Sequence, residues 1–63
     1  MCLSNVYTVE SGQDKLVAEY VSKILVGDGI VTLTDVMGEE TEVKGVLMSI
    51  DLIKNIIRID ASK

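Results

Sequence analysis

Apolar residues along the chain fall into short runs, rich in Val, Ile and Leu and separated by polar or glycine-containing breaks. Such close spacing of β-branched segments and turns is the pattern of a small all-β fold. Residues 3–10 predict a first strand, with Leu3, Tyr7 and Val9 on one face. Asn5 interrupts that face, while Cys2, Ser4 and Val6 project the other way. Residues 11–14, Ser-Gly-Gln-Asp, form a polar turn. Residues 15–20 are ambiguous, because Leu16, Val17 and Tyr20 have helical spacing and leave room for one short helical turn. A strand resumes over 21–26, and Gly27-Asp28-Gly29 is the clearest hairpin signal, leading into a strand over 30–36. After a turn at 37–40, a longer strand runs from about 42 to 52. Gly45 inside it predicts a bulge or bend that lets Leu47 and Ile50 both reach the core despite their odd spacing. Lys54-Asn55 turns the chain into a last strand, 56–60. The expected fold is a small five-stranded antiparallel barrel, SH3-like or Sm-like, in a single domain over residues 1–63. Its first and last strands are the candidates for pairing across a dimer.

Size and composition sharpen this picture. A domain of 63 residues buries only about 60% of its unfolded surface and often gains support from oligomerisation, metal or disulfides. A single cysteine excludes an intramolecular disulfide. The hydrophobic share is 48% with almost no aromatics, generous for so short a chain, and it favours a buried dimer surface. The net charge of −4 repels phosphate backbones and anionic membranes, so neither is an expected partner. No apolar run approaches the roughly 18 residues of a membrane span. The opening Met-Cys-Leu-Ser-Asn has neither the basic stretch nor the apolar core of a secretion signal. A lone unpaired cysteine also fits a reducing compartment, and the expected location is cytoplasmic.

The chemistry-bearing residues are few. Without histidine, neither Cys2 nor any of the five serines has the imidazole partner of a familiar nucleophilic site, so the chain is not expected to be an enzyme. Glu39, Glu40 and Glu42 cluster near one turn, with Asp28 near another. They lack a calcium-loop pattern and read as residues that keep sheet edges soluble. Gly27-Asp28-Gly29 lacks the downstream Lys-Ser/Thr of a phosphate-binding loop. Tyr7 and Tyr20 are the only aromatics and Lys54 and Arg58 the only local basic pair, far short of a stacking, basic nucleic-acid groove.

Cys2 remains. Free cysteines are commonly small buried hydrophobes, but this one lies beside the chain's own amine, and its thiolate and a backbone nitrogen can close a small chelate ring. One thiolate cannot complete a four-ligand structural zinc site. Two chains meeting at a two-fold axis would offer two thiolates and two nitrogens. That set suits tetragonal Ni(II) or Cu(II), and zinc or Cu(I) would also accept the thiolates. The competing reading is an Sm-like or SH3-like module that binds RNA or a protein partner without metal.

Met1-Cys2-Leu3-Ser4, the stretch Leu33-Thr34-Asp35-Val36-Met37-Gly38-Glu39, Val43-Lys44-Gly45 leading to Ile50-Asp51-Leu52, and the closing Ile57-Arg58-Ile59 together carry a resemblance. The chain resembles the CooT family of small nickel-binding proteins, associated with maturation of nickel-containing carbon monoxide dehydrogenase. The resemblance covers essentially the whole chain, and the Met-Cys start is its most discriminating part. It implies a cytoplasmic homodimer binding one Ni(II) through Cys2 of each chain. It also implies a role as metallochaperone or nickel sensor for a client such as carbon monoxide dehydrogenase.

Overall fold

The computed structural model describes residues 3–61. Among them there is no helix; six strands form one mixed sheet: β1 (Ser4–Glu10), β2 (Gln13–Val26), β3 (Ile30–Asp35), β4 (Glu40–Lys44), β5 (Val46–Asp51) and β6 (Ile56–Asp60). Their spatial order is β4-β3-β2-β1-β6-β5. The all-β expectation holds, but the five-stranded antiparallel barrel needs correction. The strand count is six, β1 and β6 run parallel, and the order is that of an open sheet with β4 and β5 at its edges.

Two local causes explain the difference. Residues 15–20 take no helical turn but belong to β2, where Leu16 pairs with Tyr7 and Ala18 with Val6. A six-residue segment is too short to nucleate a helix against such pairing. β2 therefore runs for 14 residues and serves two neighbours: its first part pairs with β1 and its second with β3. Tyr20, with φ of +57°, lies at the join, where the ladders on both sides shift register. The predicted strand over about 42–52 is divided at Gly45, and its halves occupy opposite edges, β4 against β3 and β5 against β6.

Gly45 is required there. Its φ is +156°, and a Cβ on it would stand 2.5 Å from the Asp60 carbonyl oxygen and 3.0 Å from Ile59 Cγ2. No L side chain fits so close to backbone without displacing it.

The core comprises Val6, Val21, Val31, Leu33, Ile57 and Ile59, contributed by β1, β2, β3 and β6. Val31 and Leu33, like Ile57 and Ile59, alternate along their strands and so share the inward face. Val6, rather than the predicted face of Tyr7 and Val9, supplies the buried position of β1. Register shifts on either side of Val6 account for the change. Leu47 packs against the core as expected. Ile50 does not join the core: the irregularity between Leu47 and Ser49 sets it opposite Ile57 on the inward face, but on the edge strand β5 it stays half-exposed. Nor are the first and last strands free for a partner, since they pair with each other in the interior of the sheet.

Candidate functional site

One row of residues crosses all six strands at the end of the sheet where β1 begins. Thr34 of β3 faces Glu40 of β4, and its neighbour Asp35 faces Val21 of β2. Val21 faces Ser4, and the adjacent Asn5 lies beside Ile56, which in turn faces Asp51. The chain thus enters the sheet at the same end as the turns after β3 and β5. Cys2 lies outside the described residues; Leu3, which follows it, is half-buried and precedes the first residue of this row.

Both turns are built on an aspartate. Asp35 Oδ1 accepts the amides of Met37 and Glu39, each at 2.9 Å, and the Gly38 amide donates to the Asp35 carbonyl. The Val36 amide donates to the carbonyl of Tyr20 at 2.9 Å, which fastens this turn to the bend in β2. Asp51 Oδ1 likewise accepts the amides of Ile53 and Lys54 at 3.0 Å. Short side chains of this kind close turns by capturing backbone donors a few residues on, here two to four. The Lys54 amide holds the Asp51 carboxyl below its ordinary range, joined by the Ile53 amide and the charges of Lys54 and Arg58, with desolvation opposing.

What the turns display is apolar. Val36 and Met37 are exposed on the first, and Leu52 and Ile53 on the second, Ile53 at 93%. With Tyr20 and Ile50, this end of the sheet carries six of the twelve exposed large hydrophobic residues among those described. Beside them lies an open groove of about 250 Å³ between β2 and the β5–β6 hairpin. Ser4, Val21, Ser22, Ile24, Ile50 and Ile57 line it, together with Lys23 and Leu52.

Among the described residues, no three His, Cys, Asp or Glu side chains gather as metal ligands. The carboxylates noted in the sequence are placed elsewhere: Glu40 and Glu42 stand exposed on the edge strand β4, where they discourage edge-to-edge pairing. Gly27-Asp28-Gly29 is the hairpin between β2 and β3, closed by the Gly27 amide on the Ile30 carbonyl at 2.8 Å. Arg58 is not part of a basic groove; its Nε meets Asp14 Oδ2 at 3.1 Å on the surface. Sequence reasoning missed the display of Leu52 and Ile53. Two large apolar residues between Asp51 and Lys54-Asn55, at the end of a strand pattern, read as the strand's last residue and its turn. The side-chain capture by Asp51 that presents them has no periodic signature. No described helix is long and apolar enough to cross a membrane.

The fold and its exposed turns thus define a small all-β domain of one mixed sheet. Residues 1–60 match the family described as "CO dehydrogenase accessory protein CooT", and the chain belongs to that family. The description is of an accessory protein rather than an enzyme. The fold is also that of the crystal structure of a candidate CooT from Carboxydothermus hydrogenoformans. The TM-score is 0.87 at 18% identity, over 98% of this chain and 100% of that one. No curated protein matches the sequence significantly.

Proposed function

We propose that this chain is a nickel-binding accessory protein that supports maturation of a nickel enzyme such as carbon monoxide dehydrogenase. In this reading two chains form a cytoplasmic homodimer, and Cys2 of each contributes a thiolate to one shared Ni(II). Backbone nitrogen at residue 1 or 2 completes a tetragonal donor set, the geometry that thiolate and nitrogen ligands favour around Ni(II). The ion is cargo, held by few ligands at a terminus and therefore open to transfer.

The observation that carries the reading is the family match, which runs from residue 1 and so takes in the Met-Cys start. Two features of the chain support it. No other cysteine and no histidine exists to bind a soft metal, and no carboxylate cluster among the described residues offers an alternative. Six of the twelve exposed large hydrophobic residues among those described lie at the end where β1 begins, where a dimer joined near its N-termini would bury them.

The role is tested by reconstitution. Nickel-loaded protein is mixed with nickel-free carbon monoxide dehydrogenase in the presence of a chelator that scavenges free Ni(II). Activation by the wild-type chain but not by Cys2→Ser is the expected result. Equal activation by both would remove Cys2 from the mechanism. Salt-sensitive RNA binding indifferent to Cys2 would favour the metal-free binding module instead.

A further inference from the structure

Ile53 is the most exposed large hydrophobic residue among those described, yet it stands on one of the best-fixed turns of the fold. Its own amide and that of Lys54 are held by Asp51 Oδ1. Asn55 closes the turn in the left-handed region at φ +57°, and its carbonyl accepts the Asn5 amide at 2.9 Å. A fixed apolar knob in water is the arrangement of a contact residue, because it loses little conformational entropy when it docks. Immediately beside it lies the groove between β2 and the β5–β6 hairpin, with Leu52 belonging to both: it lines the groove and is 77% exposed.

We infer that the dimer forms by reciprocal exchange, Ile53 of each chain docking into the groove of a second copy between Ser22, Ile24 and Ile50. This rests on the dimeric reading above and assigns its surface. A knob and a socket contiguous on one face are self-complementary under a two-fold axis, so two identical contacts form at once. The sizes agree: a cavity of roughly 150 Å³ already holds a benzene-sized group, and the groove measures about 250 Å³. The charges agree as well. Lys23 lines the groove and Asp51 stands at the base of the knob, so docking brings opposite charges together although each chain carries a net −4. A standard interface takes about 800 Å² per partner, under a fifth of the 4486 Å² that the chain exposes. Six exposed hydrophobic residues at this end can supply its core. Ser4 also lines the groove, so the exchange draws the starts of both β1 strands toward the axis. The edge strand β5 then needs no partner along its backbone.

The test is the mass of the metal-free protein by sedimentation, compared among the wild type, Ile53→Asp, Ser22→Glu and Leu25→Asp. Ile53→Asp removes the knob and Ser22→Glu blocks the socket, while Leu25 is also apolar and exposed but lies away from the groove, opposite Thr32. The expected result is a dimer of 6.8 kDa chains for the wild type and Leu25→Asp. Ile53→Asp and Ser22→Glu should be monomers with unchanged β-sheet circular dichroism. All three positions are exposed in the single chain, and the two disruptive variants act from opposite sides of the contact, so misfolding of one leaves the other decisive. A dimer that survives both, a wild-type monomer, or dissociation by Leu25→Asp as readily as by Ile53→Asp would overturn the exchange. Nickel uptake is read separately. A Cys2-dependent nickel dimer indifferent to Ile53 and Ser22 overturns the docking surface alone. A dimer dissociated by both variants but taking up no nickel upholds the surface and overturns the metal reading.

Discussion

The amide of Asn5 donates to the carbonyl of Asn55 at 2.9 Å, which ties the start of the first strand to the turn that displays Leu52 and Ile53. The bond continues the parallel ladder of β1 and β6 by one step beyond Ile56. Its consequence is positional. The segment entering β1, three residues after Cys2, and the most exposed apolar turn of the molecule form one fixed unit rather than two independent features.

Asp51 gives that unit a pH dependence. Its carboxyl is held below the ordinary value of 3.8 in the folded chain, so the unfolded chain takes up a proton more readily. The stabilisation is fully present above pH 3.8 and is lost as pH falls through the lower folded value. Asp51→Asn keeps an oxygen acceptor but loses the charge. It should lower the denaturation midpoint at pH 7, and the difference from wild type should shrink below pH 3.8. A difference that is the same at pH 7 and pH 3 would show that the charge contributes nothing to the turn.

Gly45→Ala should be severely destabilising, on the order of 3 kcal/mol, since it combines a strained backbone with a clash against backbone atoms. The Asp60 carbonyl at 2.5 Å from the new Cβ cannot rotate away as a side chain would. Urea denaturation measures the loss. A cost below about 0.5 kcal/mol, the range of ordinary surface changes, would contradict the close approach of the bend to β6.

Ile59 is fully buried at the middle of the core. Ile59→Val should cost about 1 kcal/mol and Ile59→Ala about 3 kcal/mol. A domain of this length has only a small stability to lose, so Ile59→Ala should be substantially unfolded at 37 °C. Circular dichroism melting curves of the two variants distinguish graded loss from indifference.

The Arg58–Asp14 pair should matter little. Both side chains are about two-fifths exposed, and such pairs contribute about 0–1 kcal/mol that salt screens further. Arg58→Ala and Asp14→Ala should shift the midpoint by less than that, with no measurable coupling in a double-mutant cycle at 0.5 M salt. A coupling that persists at high salt would mark the pair as structural.

Much of this architecture was legible in the residues. The β-branched runs located the strands over 3–10, 21–26, 30–36 and 56–60, and glycine marked both the 27–29 hairpin and the division at 45. The pairing of strands was not legible. The parallel β1–β6 contact joins residues about fifty positions apart and leaves no local mark, and it moves the sheet edges from the chain ends to β4 and β5. The region 15–20 carried helical spacing that pairing with β1 overrode. Cys2 stood out by composition as the one cysteine in a chain without histidine, and it lies outside the described residues. The apolar display on 52–53 depends on a side chain capturing backbone amides, which periodicity does not record.

The proposed function requires that Cys2 hold nickel between two chains. Ni(II) is titrated into the purified protein while thiolate-to-nickel absorption and protein mass are followed together, with Cys2→Ser as the control. The expected result is charge-transfer absorption that saturates at one nickel per dimer and is absent from the variant. Saturation at the same stoichiometry in Cys2→Ser, or no uptake by either protein, would contradict it.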